Sequence, residues 1–501
     1  MGWCGHFLRG RRAATMAALL LVAWYVPPAL GQATSGNLTA LVNSGLFAYN
    51  GLEAAAARTN DAAFTNLLTI CQAGPNGVPA AGCTGNTQLL FNRLRELEDT
   101  ANEILGRGET TFSLRLGLQA VGFALRWTAP EEFAAQGSMT TTFANSQLTT
   151  LNGRFSALRF ATQMTRLAQA GGDYDYDGPK VASYSSGNLP SYGNPRGGGA
   201  SADGGYASPT WSAIGNGSYS AGSKQPTTFE DAFNFNDTEY SAGTDVRLSR
   251  NLVVGILGGY TIKHVNFNSF ESIVDGGVRG EGYSGIVYGQ LEGDAAYLNF
   301  SIGFQHLSLD TRRSITYPSL NPLVPSVDET STSSASANSW LTNVGGGYAF
   351  HWRGFSVEPY LNAQYVRTQI GQFTEHDGNG FDINVGSQSD PSLTLSPGVR
   401  FQQVFTPPFG VIVPYLYGEF RHEFAQNSRD IQSTFAAAGA GGGAADFALP
   451  TDAPTRNYYL VGGGLTLVFK HGVQGFAQYV RVLQLANYSD YVASGGIRIE
   501  F

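Results

Sequence analysis

From Tyr206 to the carboxyl terminus the chain keeps a two-residue hydropathic period, which restricts that stretch to strands with two unlike faces. The last twelve residues, Asp490 to Phe501, read DYVASGGIRIEF. Tyr491, Ala493, Gly495, Ile497, Ile499 and Phe501 share one face, and Val492, Ser494, Gly496, Arg498 and Glu500 share the other. A soluble sandwich strand can alternate in the same way, so the neighbouring segments decide. The clearest of them is Ala296 to Gln305, where Leu298, Phe300, Ile302 and Phe304 oppose Asn299, Ser301, Gly303 and Gln305. In Phe355 to Val366, Phe355, Val357, Leu361 and Ala363 oppose Ser356, Glu358, Asn362 and Gln364.

The connections add the architecture. Tight ones fall at Ser249-Arg250-Asn251, Glu292-Gly293-Asp294, His351 to Gly354, Thr406 to Phe409 and Lys470-His471-Gly472. Longer polar ones span Ser220 to Asp237, Asn266 to Glu281, Asp310 to Ala337, Gly371 to Asp390 and Ala425 to Thr455, and a shorter one lies near Asn487. Short and long connections alternate, the asymmetry of a transmembrane barrel with short turns at one rim and long loops at the other. Five tight turns and six other connections join twelve strands. Sandwich strands usually run about 5–6 residues; these approach the roughly 10 that cross a membrane at a tilt. No blade-length repeat of a propeller is present. The expected fold is mainly β: a twelve-stranded antiparallel transmembrane β-barrel preceded by a short α-helical region.

Composition agrees with that reading. Charged residues make up 14% of the 501, aromatics 12%, and there are 64 glycines. Mean hydropathy is only −0.12, as expected where apolar residues are hidden in alternation. Past residue 30 there is no apolar run of roughly 20 residues such as a membrane helix needs. A net charge of −8 leaves no nucleic-acid footprint.

Residues 1–33 read as a signal peptide. Arg9, Arg11 and Arg12 precede the apolar run Ala13 to Val26, with cleavage expected after Gly31 or Ala33. The exported chain keeps Cys71 and Cys83, a pair expected to form a disulfide worth about 3 kcal/mol through the unfolded state. Residues 34–170 form a helical, passenger-like region. Leu38, Leu41, Val42, Leu46, Tyr49 and Leu52, then Phe64, Leu67 and Leu68, carry a helical period. Leu90, Leu94, Leu97, Ala101, Ile104 and Leu105 repeat it, predicting a helical hairpin with the disulfide across its turn. After a third apolar stretch, Phe112 to Trp127, Thr128 is expected to cap a helix with Pro130 in its first turn and Glu131 and Glu132 near its positive end. The stripe Leu148, Leu151, Phe155 and Leu158 fits ordinary core packing or a helix inside the barrel, and core packing is the simpler expectation. Residues 171–205, rich in Gly, Ser and Tyr, read as a flexible linker. Residues 206–501 form the barrel domain.

At this point the barrel segment resembles the translocator domain of autotransporters, the type V secretion family. The resemblance is carried in order by Trp211-Ser212-Ala213-Ile214-Gly215, by Tyr240 to Leu248 with Val254 to Tyr260, and by Glu358-Pro359-Tyr360-Leu361 with Phe373-Thr374-Glu375. Pro414-Tyr415-Leu416 to His422-Glu423-Phe424 and the terminal Gly495 to Phe501 complete it. It implies a barrel in the bacterial outer membrane that translocates or displays its short helical passenger at the cell surface. It also implies contact with outer-membrane lipid, reliance on the barrel-assembly machinery and periplasmic chaperones, and a terminal assembly signal formed by Tyr491, Ile497, Ile499 and Phe501. A helix commonly enters the pore just before the first strand in this family. Here the glycine-rich linker intervenes, which speaks against a pore-filling helix. Two other readings stay open: a non-secreting pore or envelope scaffold with the helices in the periplasm, and a surface adhesin.

No catalytic, cofactor or metal site is expected. HExxH, GxSxG and P-loop patterns are missing from the sequence. Asp173 to Asp177 is a poor calcium cluster, and Asp377-Gly378-Asn379-Gly380-Phe381-Asp382 resembles half a calcium loop without the later Glu, so a solvated glycine loop is expected. The strand charges Arg247, Glu358, Arg367, Arg400, Glu419, Arg421, Arg481 and Arg498 are expected to face the lumen, because an Arg turned to lipid at mid-membrane costs about 2–4 kcal/mol.

Overall fold

The computed structural model describes residues 35–71, 82–169, 210–267, 274–352, 354–425, 427–438, 446–469 and 472–501. The expected cleavage sites at Gly31 and Ala33, the linker, and the Asp173 to Asp177 cluster lie outside them. Twelve strands form the barrel: β1 Thr210–Lys224, β2 Phe233–Arg247, β3 Leu252–Phe267, β4 Gly276–Glu292, β5 Ala296–Tyr317, β6 Val327–Tyr348, β7 Phe355–Ile370, β8 Gln388–Gln403, β9 Gly410–Glu423, β10 Asn457–Phe469, β11 Val473–Leu483 and β12 Tyr488–Glu500. Each pairs antiparallel with its neighbours in sequence, and β1 pairs with β12 from Ser212↔Glu500 to Lys224↔Tyr488. Closure leaves no sheet edge for lipid to desolvate. Beyond that ladder, Phe501 N donates to Trp211 O at 3.0 Å and Trp211 N to Phe501 O at 3.3 Å.

Side chains alternate as the sequence requires. In β5, Leu298, Phe300 and Ile302 are exposed outward, while Asn299, Ser301 and Gln305 are buried inward. Aromatics gather in two bands, as at a membrane's interfaces. Tyr240, Tyr260 and Tyr283 are successive register partners in one band, toward the long loops. Trp211, Tyr348, Trp352 and Phe501 stand exposed near the short turns. No described helix is long and apolar enough to cross a membrane; the strands carry the crossing.

Two expectations about the connections change. Asp310 to Ala337 is not a polar loop, because β5 and β6 run on to Tyr317 and Val327, each 22 residues long. The run Thr330 to Ser336 is too uniformly small and polar to show alternation, and its pairing partner imposes strand structure instead. The Gly371 to Asp390 and Ala425 to Thr455 connections hold a small sheet of their own, Asp446–Pro450, Asp430–Phe435, Ile383–Val385 and Phe373–Thr374 in spatial order.

Helices α1 Asn37–Val42, α2 Gly51–Cys71, α3 Gly85–Leu105 and α4 Leu118–Thr128 form a cap on the long-loop end of the barrel. Cys71 and Cys83 bond across the α2–α3 connection with Cα atoms 4.9 Å apart. The cap's leucines and Phe64 bury against Tyr317, Val327, Phe381, Ile431 and Phe435 of the strand ends and loops. Thr128 does not open the following helix. It closes α4 instead, donating from Oγ1 to Leu125 O at 2.8 Å and accepting from Asn60 Nδ2 at 2.9 Å.

The first turn of α1 is sealed from a distance by two acids. Glu98 accepts from Asn37 N at 3.0 Å, and Asp61 accepts from Leu38 N at 3.2 Å and Thr39 N at 2.8 Å. Burial, then the facing Asp61 carboxyl, raises the Glu98 pKa to about 9. Burial also lifts Asp99 to about 6 against the pull of the Phe112 N–H. The folded cap therefore holds protons that the unfolded chain releases near pH 4. The stability these two groups contribute is full in acid and is lost as pH rises through about 6 for Asp99 and through about 9 for Glu98. The slope is about 1.4 kcal/mol per pH unit for each proton taken up on folding. The cap's thermal midpoint is expected to drop from pH 5 to pH 9, and Glu98→Gln to flatten the upper part of that profile. A midpoint that rises over this range would contradict the assignment.

Candidate functional site: the occupied lumen

The last helix, α5 Glu132–Gln169, spans 38 residues, about 57 Å of helix, enough to thread the barrel. It begins at the long-loop end, where Phe133 meets Phe373 edge-on at 4.9 Å and Gln136 donates to Thr311 at 2.9 Å. It then descends the lumen toward the rim where β1 starts. Leu148, Leu151, Phe155 and Leu158 pack on Ile214, Leu257, Ile286, Tyr288 and Leu341, all on the inward faces of strands. The simpler expectation of separate core packing is thus corrected, and so is the argument from the linker against a helix in the pore. A linker constrains how the chain returns to β1, not where the preceding helix sits. One glycine marks the close approach: a Cβ on Gly259 would lie 2.6 Å from both Gln147 Nε2 and Ser284 Oγ, which bond to each other.

Two buried ionic groups fix the lower half of α5. Asp245 of β2 pairs with Arg154 of α5, receives Arg498 Nη2 of β12 at 3.2 Å and Tyr288 OH at 3.1 Å, and bonds Ser212. Phe155 packs edge-on against the same Tyr288 at 5.8 Å. Further down the helix, Arg159 Nη2 donates to Glu358 Oε1 of β7 at 2.9 Å, and Tyr297 OH donates to that oxygen at 2.7 Å. The Arg159 guanidinium lies 3.8 Å over the Tyr297 ring. Arg400 stands 3.7 Å from Glu358, bonds Ser156 of α5, and sits among the rings of Tyr360, Tyr415 and Tyr417. Such pairs add little net stability against an apolar alternative, but breaking one strands a buried charge at a cost of about 3–5 kcal/mol. They orient and hold the helix.

Of the charges expected in the lumen, Glu358, Arg400, Glu419, Arg421 and Arg498 are buried inward, and Arg247 is half-buried on the same face near the short turns. Arg421 Nε donates to Glu419 Oε1 at 2.6 Å. Arg367 and Arg481 are corrections: both are exposed on the outward face. The lipid-avoidance argument assumed that the whole outward face meets hydrocarbon. Arg367 lies opposite exposed Trp340, and Arg481 opposite Tyr491 beside Tyr479, toward the long-loop end where the apolar band gives way to water.

The terminal residues Tyr491, Ile497, Ile499 and Phe501 share the outward face, and Phe501 is 75% exposed. Because ring closure at Phe501 uses its backbone, Phe501→Ala removes little native packing. The expected result is less heat-modifiable barrel in the membrane, with an unchanged melting midpoint for the fraction that assembles. Unchanged amounts would refute an assembly signal.

The Asp377 to Asp382 segment is not the solvated loop expected. Asp382 Oδ1 accepts from Gly378 N and Ser331 Oγ, both at 2.7 Å, and Phe381 is fully buried. The loop seats α3. Among the described residues no group of three or more His, Cys, Asp or Glu could hold a metal ion. Sequence reasoning missed Arg154, Arg159, Asp245, Arg313 and Gly380. Apolar residues on the inward strand face, Ile214, Val253, Leu257, Ile286 and Leu341, were the available sign that something greasy fills the pore.

The family model described as the autotransporter beta-domain matches residues 213–480, more than half of the chain. Among solved structures, the translocator domain of autotransporter NalP from Neisseria meningitidis is 13% identical with a TM-score of 0.44, covering 58% of this chain and 88% of that one. The beta domain of the Bordetella autotransporter BrkA is 15% identical with a TM-score of 0.41, covering 58% and 100%. The transport unit of AIDA-I from Escherichia coli is 16% identical with a TM-score of 0.40, covering 59% and 91%. No curated protein matches the chain.

Proposed function

The chain belongs to the autotransporter β-domain family, and on that premise we propose that this outer-membrane translocator barrel carries its own amino-terminal helices outward and holds them at the cell surface. The supporting observation is the path of the chain. The cap packs on the long-loop end, α5 runs down the lumen, and β1 begins at the short-turn end. In bacterial barrels the long loops face outward and the short turns face the periplasm. A helix left in the lumen with its amino-terminal end toward the loops is the arrangement a chain exported through its own barrel would keep.

The test places an epitope tag just after Thr34 and exposes intact cells to an external protease. Loss of the tag with the barrel intact is expected. A tag protected until the outer membrane is permeabilised would put the helices in the periplasm and leave the scaffold reading.

A further inference from the structure

The main buried apolar cluster belongs neither to the cap nor to the barrel; the two share it. Phe64, Leu90 and Leu94 of the helices pack in one core with Tyr317 of β5 and with Phe381 and Phe435 of the long loops. Each side is incomplete alone. The loop sheet has strands of only two to six residues. Without the helices its inner residues, Ile383, Ile431 and Leu449, would form an apolar face on a sheet too small to stand by itself. Detached helices would likewise expose the side chains that now meet the loops.

Backbone contacts fix the fit. Leu320 N donates to Leu114 O at 2.9 Å and Asn321 Nδ2 to Ser113 O at 2.7 Å, tying the β5–β6 tip to the stretch before α4. Gly380, at φ +101°, lies so close to α3 that a Cβ there would sit 2.8 Å from Asn86 O and Leu90 N. At the elbow between α4 and α5, Arg126 forms a two-pronged pair with Glu131 at 2.9 and 2.6 Å and reaches within 3.9 Å of Asp231 in the β1–β2 loop. Buried Arg313 of β5 holds Glu375 in the same two-pronged way, at 3.0 and 2.6 Å, and donates to Trp127 O at 3.4 Å.

We infer that the helical cap and the long loops are one folding unit, so in the assembled protein the cap is a permanent part of the long-loop end rather than a separable passenger. The inference concerns the assembled protein and holds whatever route brought the cap there. Its test therefore uses purified full-length barrel, where failure would leave the export reading untouched. A site-specific protease sequence inserted between Arg107 and Gly108, in an exposed turn, cuts the covalent path from α1–α3 to the barrel. After cutting, the fragment is expected to co-elute with the barrel in non-denaturing detergent. Gly380→Val in the same background is expected to release it while heat-modifiability of the barrel persists. A fragment that separates from the unsubstituted barrel after cutting would overturn the inference.

Hydrogen exchange on the uncut protein covers the case where the insertion misfolds. Gly380→Val is expected to raise exchange together in α3 and in Asp430–Phe435, with β1 to β4 unchanged. Exchange that rises in one of those two elements alone would show that they unfold independently, and would also overturn it.

Discussion

Asp245→Ala is expected to destabilise the barrel by about 3–5 kcal/mol, because it leaves Arg154 and Arg498 facing each other in the lumen without their shared carboxylate. The Tyr288 and Ser212 hydroxyls lose their acceptor at the same time. The loss is carried by stranded charge and not by missing contact area, so a second change should recover part of it. In Asp245→Ala/Arg154→Leu the Arg154 guanidinium is gone, and Arg498 keeps Glu500 at 2.7 Å. Melting of the purified barrel, followed by loss of heat-modifiable migration, checks both. A double variant as unstable as the single one would show that Asp245 acts in some way other than by neutralising α5.

Phe64→Ala is expected to cost the cap about 3–5 kcal/mol while leaving the barrel assembled. Phe64 is fully buried and stacks on Phe91 with ring centroids 5.4 Å apart. Limited proteolysis should then cut α2 and α3 at protease levels the native protein resists, with the strands still protected. If α2 and α3 resist as before, Phe64 does not hold the cap core. If the barrel falls apart with the cap, the strands depend on the helices more than their continuous ladder implies.

The barrel was legible because a two-residue period survives averaging over long strands. Leu298 to Gln305 alternates in the structure as it does in the sequence, and tight turns such as 248–251 fall where charged and small residues cluster. What the sequence left open was which surface each helical stripe meets. Leu148, Leu151, Phe155 and Leu158 read the same against another helix as against a barrel wall, and only the partners Leu257 and Leu341 tell the two apart. Those partners sit on the strand face where polar residues are expected, about one to two hundred residues further along the chain.

Arg367 and Arg481 were misplaced for a related reason: alternation gives a residue's face but not its depth in the membrane. Gly380 was invisible for another. Its role depends on the backbone of α3 arriving from almost three hundred residues away.

The path of α5 is the claim on which the rest depends, and a photo-crosslinking residue in place of Leu151 tests it in living cells. Leu151 is buried against the barrel wall. Irradiation is expected to join α5 to peptides of β3 or β4 within the same chain, and only in the heat-modifiable, membrane-assembled form. Crosslinks from the assembled form to other proteins, or to cap helices instead of the strands, would mean that the lumen is not where α5 resides.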